Sequence, residues 1–122
     1  MRSPWVNTTL YRYFAIVGGV YHVGSIVMAA GLTFLVRKHR PSFVWTLTGA
    51  SCLLLAFGLW LTVVAPVNSP VAEAFRSAPA VWLRLRNQWE YGHAAGFIVQ
   101  LVGLCALILS VLVADLPPKP KV

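Results

Sequence analysis

The chain has 122 residues, of which 58% are hydrophobic and 11% are charged, and its net charge is +7. A soluble domain carries about 25% charged residues, so the composition excludes an ordinary water-soluble protein. The length predicts one transmembrane domain over residues 1–122. The cations lie at the ends of apolar stretches, which favours the lipid bilayer, and not nucleic acid, as their partner.

Three stretches of the chain contain no Asp, Glu, Lys or Arg, and they span residues 13–36, 41–72 and 91–114. Each is longer than the roughly 20 apolar residues that cross a bilayer core of about 30 Å. They predict an all-α membrane protein with transmembrane helices at about 11–36, 42–64 and 89–114. The first stretch is too long for the core of a signal peptide, so we expect it to be retained as a span.

Prolines predict where the helices end. The basic elbow, residues 37–41, finishes with a proline that stops the first helix and begins the second. The segment 66–70 begins and ends with proline, and we expect it to break the second helix. Ser69 followed by Pro70 is typical of a helix start, so a short interfacial helical segment is predicted at about 70–88.

The last helix is predicted to begin near Pro79 and to reach Ala114, a length of about 54 Å at 1.5 Å per residue. This length exceeds the bilayer core of about 30 Å, so its first turns should lie outside the hydrocarbon. The prolines and lysines of residues 115–122 predict a flexible tail.

The orientation depends on the role of two arginines, because the Lys and Arg residues divide equally between the two sides of the membrane. If Arg84 and Arg86 serve a site and do not contact headgroups, the side that holds the elbow has the excess of positive charge. That excess marks the cytoplasmic side. We therefore expect a multi-pass protein of the bacterial plasma (inner) membrane, with residues 37–41 and the C-terminus in the cytoplasm.

A run of polar and aromatic residues leads into the last span. At helical spacing they form one stripe, made by Trp82, Arg86, Trp89, His93, Gly96 and Gln100. Arg86 can pair with Glu90 four residues later, and a polar group as deep as Gln100 usually faces a partner helix or a cavity. Two interpretations stay open here. The residues are interfacial anchors around a solvated ion pair, or they form a functional site.

His22 is the titratable residue of the first span. It is either a member of a site or a histidine whose hydrogen bonds are satisfied by Ser25 or a neighbouring backbone carbonyl. A haem between His22 and His93 fits poorly, because the parallel first and third helices would place them at depths of about 14 Å and 4 Å. No other metal-ligand spacing is visible, so no metal and no cofactor is expected.

Small residues on the last helix predict that another backbone approaches it closely. The face in question is formed by Gly92, Gly96 and Gly103. The approaching helix can belong to the same chain, to a second copy in a homo-oligomer, or to another membrane protein.

Three segments resemble the signature of the anthrone-oxygenase-like integral membrane proteins. They are Pro66-Val67-Asn68, Trp82-Leu83-Arg84-Leu85-Arg86 and Gln88-Trp89-Glu90-Tyr91-Gly92-His93-Ala94-Ala95. Most members of this bacterial family are classed as a domain of unknown function, and the resemblance covers about residues 11–112. Family members usually have four spanning helices, so this chain, in which the first is not seen, would either have a shortened start or be a three-helix variant.

For part of the family, the resemblance implies the oxidation of an anthrone to an anthraquinone by dioxygen, without metal, flavin or other cofactor. Such chemistry needs a base and a group that stabilises the resulting anion. We expect His93 to be the base, Glu90 to orient it, and Arg86 to stabilise the anion. The expected ligand-binding residues are Asn68, Trp82, Trp89, Gln100 and His22.

A non-catalytic accessory or scaffold subunit of a membrane complex is the alternative function, since the chain is small and has few titratable groups. A weaker alternative is a binder of a lipid or of an aromatic or quinone-like small molecule. A transporter is disfavoured, because three helices offer no pair of repeats and no helix broken at the membrane midplane.

Overall fold

A computed structural model describes the backbone of residues 4–116, and the side chains of residues 12–116 apart from 72, 75–77 and 79. The described chain is helical and contains no strand. Its helices are α1 (Pro4–Leu35), α2 (Arg40–Leu59), α3 (Ala65–Ser77) and α4 (Pro79–Ala114), with a π-helical turn at Trp60–Val64. Most of the predicted tail, residues 117–122, lies outside the described residues.

Three stretches of helix are long and apolar enough to cross a membrane, namely Arg12–Leu35, Arg40–Val71 and Ala80–Ala114. The predicted all-α membrane fold with three spanning helices is confirmed. Large apolar side chains cover the outside of the bundle, as expected for surfaces that contact lipid. Within the most apolar part of each stretch, 6% of the residues are buried in the first, 22% in the second and 17% in the third, so α1 is the least enclosed span.

The predicted break at residues 66–70 is wrong, because the second span continues through the π-helical turn into α3. A proline inside a helix donates no N–H bond, and its ring collides with the carbonyl four residues earlier. The chain accommodates Pro66 by widening the preceding turn, in which the Ala65 N–H bonds to the carbonyl of Trp60, five residues back. Pro70 lies inside α3 and does not begin it.

The last helix begins at Pro79 and ends at Ala114, as predicted. Only Ala78 separates α3 from α4; its backbone (φ −150°, ψ 81°) is not helical, and α4 packs back against α3. The predicted interfacial segment at 70–88 is therefore the end of α3 followed by the first turns of α4. We call residues 65–88 the hairpin, and the two faces of the membrane the hairpin side and the elbow side.

Glycine allows α2 and α4 to pack with their backbones close together. A Cβ atom at Gly49 would lie 3.0 Å from the carbonyl oxygen of Gly103, and one at Gly103 would lie 2.9 Å from the Cβ of Cys52. A Cβ atom at Gly92 would lie 2.7 Å from a methyl of Val64. The face that contains Gly92 and Gly103 therefore packs within one chain, which was one of the three alternatives considered.

A buried polar cluster fastens α2 to α4 near the elbow. The Ser42 hydroxyl donates to the carbonyl of Ser110, and the Ser110 hydroxyl donates back to the carbonyl of Ser42, each at 3.1 Å. Thr46 donates to the Ser42 carbonyl at 2.7 Å and also contacts the Ser110 hydroxyl. Each donor is satisfied in this dry interface, so the cluster fixes the register of the two helices without an unpaired polar group.

In contrast, α1 is attached to the bundle on one side only. It packs against α2 and makes little direct contact with α4 in the described part of the chain. A gap therefore remains between α1 and α4 at membrane depth. We call it the α1–α4 gap.

Candidate functional site

A half-open cavity of about 200 Å³ lies where α1, the π-helical turn and α4 meet. Its polar lining comes from His22, His93 and Gln100, and its aromatic lining comes from Trp60 and Phe97. Gly96 forms part of the wall, and a Cβ atom there would meet no other atom within 4 Å. The cavity is thus a mainly apolar slot with a few polar groups.

The polar groups lie at two depths. His93 comes two residues after the start of the charge-free stretch 91–114, so it is near the hairpin-side edge of the hydrocarbon. Gln100 is seven residues further along α4, about 10.5 Å deeper. His22 on α1 contacts Gln100 and lies at that deeper level. This is consistent with the depth argument against a haem shared by His22 and His93.

The ring of His93 is held by the backbone of its own helix. Its Nδ1 lies 2.9 Å from the carbonyl oxygen of Trp89. A carbonyl only accepts, so Nδ1 carries the hydrogen, and in the neutral ring Nε2 is left with the lone pair. The Trp89 carbonyl therefore holds the imidazole, whereas Glu90, the expected orienting residue, bonds to another residue.

That other residue is Arg86, whose Nε donates to Glu90 Oε1 at 2.6 Å. Both side chains are 48% exposed, and the guanidinium lies over the ring of Trp82, 5.1 Å from its centroid. None of these three residues lines the cavity. An exposed pair of this kind contributes about 0–1 kcal/mol, so Arg86, Glu90 and Trp82 have the geometry of the interfacial anchors that we considered.

Trp89 and Asn68 join the hairpin to the edge of the cavity. The indole Nε1 of Trp89 donates to Asn68 Oδ1 at 2.8 Å, and the Trp89 ring lies against that of His93 with centroids 4.2 Å apart. One turn away, Gln88 donates to the carbonyl of Val63 in the π-helical turn at 3.1 Å. Asn68 thus fixes Trp89, and Trp89 in turn holds His93 by its carbonyl and its ring.

Replacing Asn68 with alanine is expected to lower the stability of the protein by about 1–3 kcal/mol, because a half-buried indole N–H loses its acceptor. Thermal unfolding in mild detergent measures the loss. Asn87→Ala makes the same change at an exposed position of α4 and should leave the melting temperature unchanged. Equal melting temperatures for the two variants would show that the Asn68–Trp89 bond does not hold the hairpin.

His22 is satisfied by a backbone carbonyl, as one of its two interpretations expects, and its side chain also lines the cavity. Its Nε2 donates to the carbonyl of Leu53 on α2 at 2.9 Å, which leaves Nδ1 as an acceptor. The amide Nε2 of Gln100 approaches that Nδ1 at 3.5 Å. Because 3.5 Å is at the upper limit for a hydrogen bond, the Gln100 amide is held loosely and a ligand can compete for it.

The structure separates the predicted site residues into three groups. The first group lines the cavity and consists of His22, His93 and Gln100. The second group supports the cavity and consists of Asn68 and Trp89. The third group lies outside it and consists of Trp82, Arg86 and Glu90. Sequence reasoning missed Trp60 and Phe97. In an apolar span an inward-facing aromatic residue has no signal that distinguishes it from a lipid-facing one.

The geometry defines the class of this protein, a three-span helical membrane protein with a small aromatic-lined cavity near one face of the bilayer. Comparison of the chain with protein-family models, with curated proteins and with solved structures gives no match. The resemblance to the anthrone-oxygenase-like family therefore stays a prediction.

Proposed function

We propose that the protein binds a lipophilic aromatic molecule in the cavity and, in line with the family resemblance, oxidises an anthrone to an anthraquinone with dioxygen. The observation that carries the proposal is the hydrogen bond from His93 Nδ1 to the Trp89 carbonyl. It leaves Nε2 as a proton acceptor on a residue that lines a mainly apolar cavity. Gln100, two turns deeper, supplies an amide donor.

The reaction begins when His93 Nε2 removes a proton from the methylene carbon of the anthrone. The carbonyl across the central ring takes the negative charge, and a hydrogen bond from the Gln100 amide stabilises it. In this proposal Gln100 takes the role first assigned to Arg86, because Arg86 is paired with Glu90 outside the cavity.

Dioxygen is the oxidant, and it accepts the electrons that the anthrone loses. The anion transfers one electron to dioxygen, and the two radicals combine to form a peroxide at the former methylene carbon, which takes the proton back from His93. Removal of the second hydrogen of that carbon then breaks the O–O bond. The products are a new carbonyl and hydroxide, which becomes water with the proton that was removed.

The size of the cavity limits what it encloses. Ligand pockets commonly measure roughly 300–1,000 Å³, and this one measures about 200 Å³. A three-ring substrate would place its central ring between His93 and Gln100. One of its two outer rings would then extend into the α1–α4 gap. Trp60 and Phe97 supply the faces against which a flat ring packs.

His93→Ala is expected to lower oxygen uptake on anthrone by about 10²- to 10⁴-fold, the contribution typical of a general base. An oxygen electrode on protein reconstituted in lipid measures the rate. Tyr91→Ala is the matched control, since it removes an exposed ring from the same turn of α4, and it should keep the wild-type rate. Full oxygen uptake in the His93→Ala variant would exclude His93 as the base.

A non-catalytic accessory subunit is the second candidate, and the exposed surface of α1 favours it. Cβ atoms at Gly18, Gly24 and Gly31 would meet nothing within 4 Å, so another transmembrane helix could approach α1 closely there. Native mass spectrometry of protein released from its own membranes tests this function. An assembly with another polypeptide supports the subunit, whereas a monomer that carries a small aromatic mass supports the ligand site.

We propose that the membrane is the bacterial plasma membrane and that the elbow side faces the cytoplasm. Arg37, Lys38 and Arg40 are all exposed at the elbow, where they can contact headgroups. Three cations so close together in one short loop favour the cytoplasmic side for the elbow. The cavity would then open near the outer leaflet.

A further inference from the structure

The α1–α4 gap gives the cavity a side opening at membrane depth. Two of its boundaries are closed, because α2 packs against α1 and against α4. The third boundary, between α1 and α4, is bridged by the long contact between His22 and Gln100. Phe97 and Gln100 of the lining are themselves exposed. A ligand can therefore reach the cavity sideways from the bilayer.

The two polar ends of the cavity are matched to a ring with oxygen atoms at opposite positions. Seven residues of α4 separate His93 from Gln100, which is a helix rise of about 10.5 Å between their backbones. Opposite oxygens on a six-membered ring are about 5 Å apart. Two hydrogen bonds of about 2.8 Å bring the span of ring and bonds to about 11 Å, close to that rise, so we assign one oxygen to each end.

The hydrogen-bonding roles at the two ends suit the same ligand. His93 Nε2 is an acceptor when the ring is neutral, so it takes a hydrogen bond from a phenolic hydroxyl. The Gln100 amide has both a donor and an acceptor, so it can bond to either a hydroxyl or a carbonyl. Between them, Trp60 is stacked on Phe57 with centroids 6.3 Å apart, which gives a flat aromatic wall.

We infer that the cavity takes the head of a membrane-dissolved para-hydroquinone, with its hydrocarbon substituent left in the lipid through the α1–α4 gap. The inference rests on one part of the proposed function, namely that the cavity binds a lipophilic aromatic molecule. It does not depend on the other part, the oxidation of anthrone. The ring is recognised by its para arrangement of oxygens, and the lateral opening requires the ligand to be lipid-soluble.

Three ligands with the same decyl chain test the inference: the 1,4-dihydroxybenzene, the 1,3-dihydroxybenzene and the monophenol. Each is titrated under argon into protein in lipid nanodiscs, and binding is followed by the quenching of tryptophan fluorescence. We expect the 1,4-isomer to bind about tenfold more tightly than the others, because it alone makes the second hydrogen bond. The ligand concentration is expressed as the ratio of ligand to lipid in the bilayer. Differences in how strongly the three ligands partition into the bilayer then do not affect the comparison of their affinities.

Gln100→Leu should remove the preference for the 1,4-isomer and leave the affinity for the monophenol unchanged. Gln88→Leu makes the same substitution outside the cavity and should retain the preference. Equal binding of the three ligands by the wild-type protein overturns the inference, even if anthrone is oxidised. A preference that depends on Gln100 supports the inference, even if no oxygen uptake is found and the proposed oxygenase fails.

Discussion

Gly103→Leu is expected to prevent α2 and α4 from packing and to abolish the recovery of folded protein from the membrane. A Cβ atom at this position would lie 2.9 Å from the Cβ of Cys52 and 3.3 Å from the carbonyl oxygen of Gly49. Neither atom can move by a change of rotamer. Overpacking costs about 1–3 kcal/mol where neighbours can adjust, and here the two backbones must separate along the most extensive interface in the described fold.

The yield of monodisperse protein in mild detergent and its melting temperature measure this effect. Gly31→Leu is the matched control, because a Cβ atom there meets nothing within 4 Å. In a second comparison, Cys52→Gly should restore part of the stability that Gly103→Ala removes, since it takes away the nearer of the two obstacles. Similar yields for the variants at 103 and 31 would contradict the close packing of α2 on α4.

Gly96→Leu is expected to have the opposite effect, with stability retained and ligand binding lost. It lies in the same row of small residues as Gly92 and Gly103, yet its Cβ would enter the open space of the cavity. Leucine is also a better helix former than glycine, by up to about 1 kcal/mol. The side chain would fill the slot between His93 and Gln100.

Binding of the decyl-substituted 1,4-dihydroxybenzene and oxygen uptake on anthrone are both measured for this variant, beside its melting temperature. We expect both readouts to fall at least tenfold while the melting temperature holds or rises. Gly31→Leu is again the control, since it alters a helix surface outside the cavity lining. Wild-type affinity in the Gly96→Leu protein would show that the ligand binds elsewhere.

The sequence was sufficient to predict the membrane class and the three spans, because burial in lipid requires long uncharged helices and leaves a strong compositional signal. The start of α4 at Pro79 was also predictable, since proline is favoured in the first helical turn. The effect of Pro66 on the second span was not predictable from the sequence. A proline can end a helix or distort it, and here α4 packs beside the widened turn and Gln88 bonds to its Val63 carbonyl.

The site was predicted in part, for a related reason. Helical spacing placed His93, Gly96 and Gln100 on one face, and all three line the cavity. The partner of Gln100 is His22, 78 residues away in the chain. That contact depends on the depth and rotation of α1, which local patterns do not encode. Spacing likewise allowed Glu90 to reach either Arg86 or His93, and only the packed structure distinguishes the two.

The one-sided attachment of α1 leaves one side of the cavity to be covered by the surrounding lipid. Acyl chains would cover the α1–α4 gap, so this boundary of the cavity is fluid and its stiffness follows the composition of the bilayer. A change in chain length or unsaturation would alter the energy of tilting α1, and hence the width of the slot. Affinity for the proposed ligand would therefore be a joint property of the polypeptide and its host membrane, and transfer to detergent would change it.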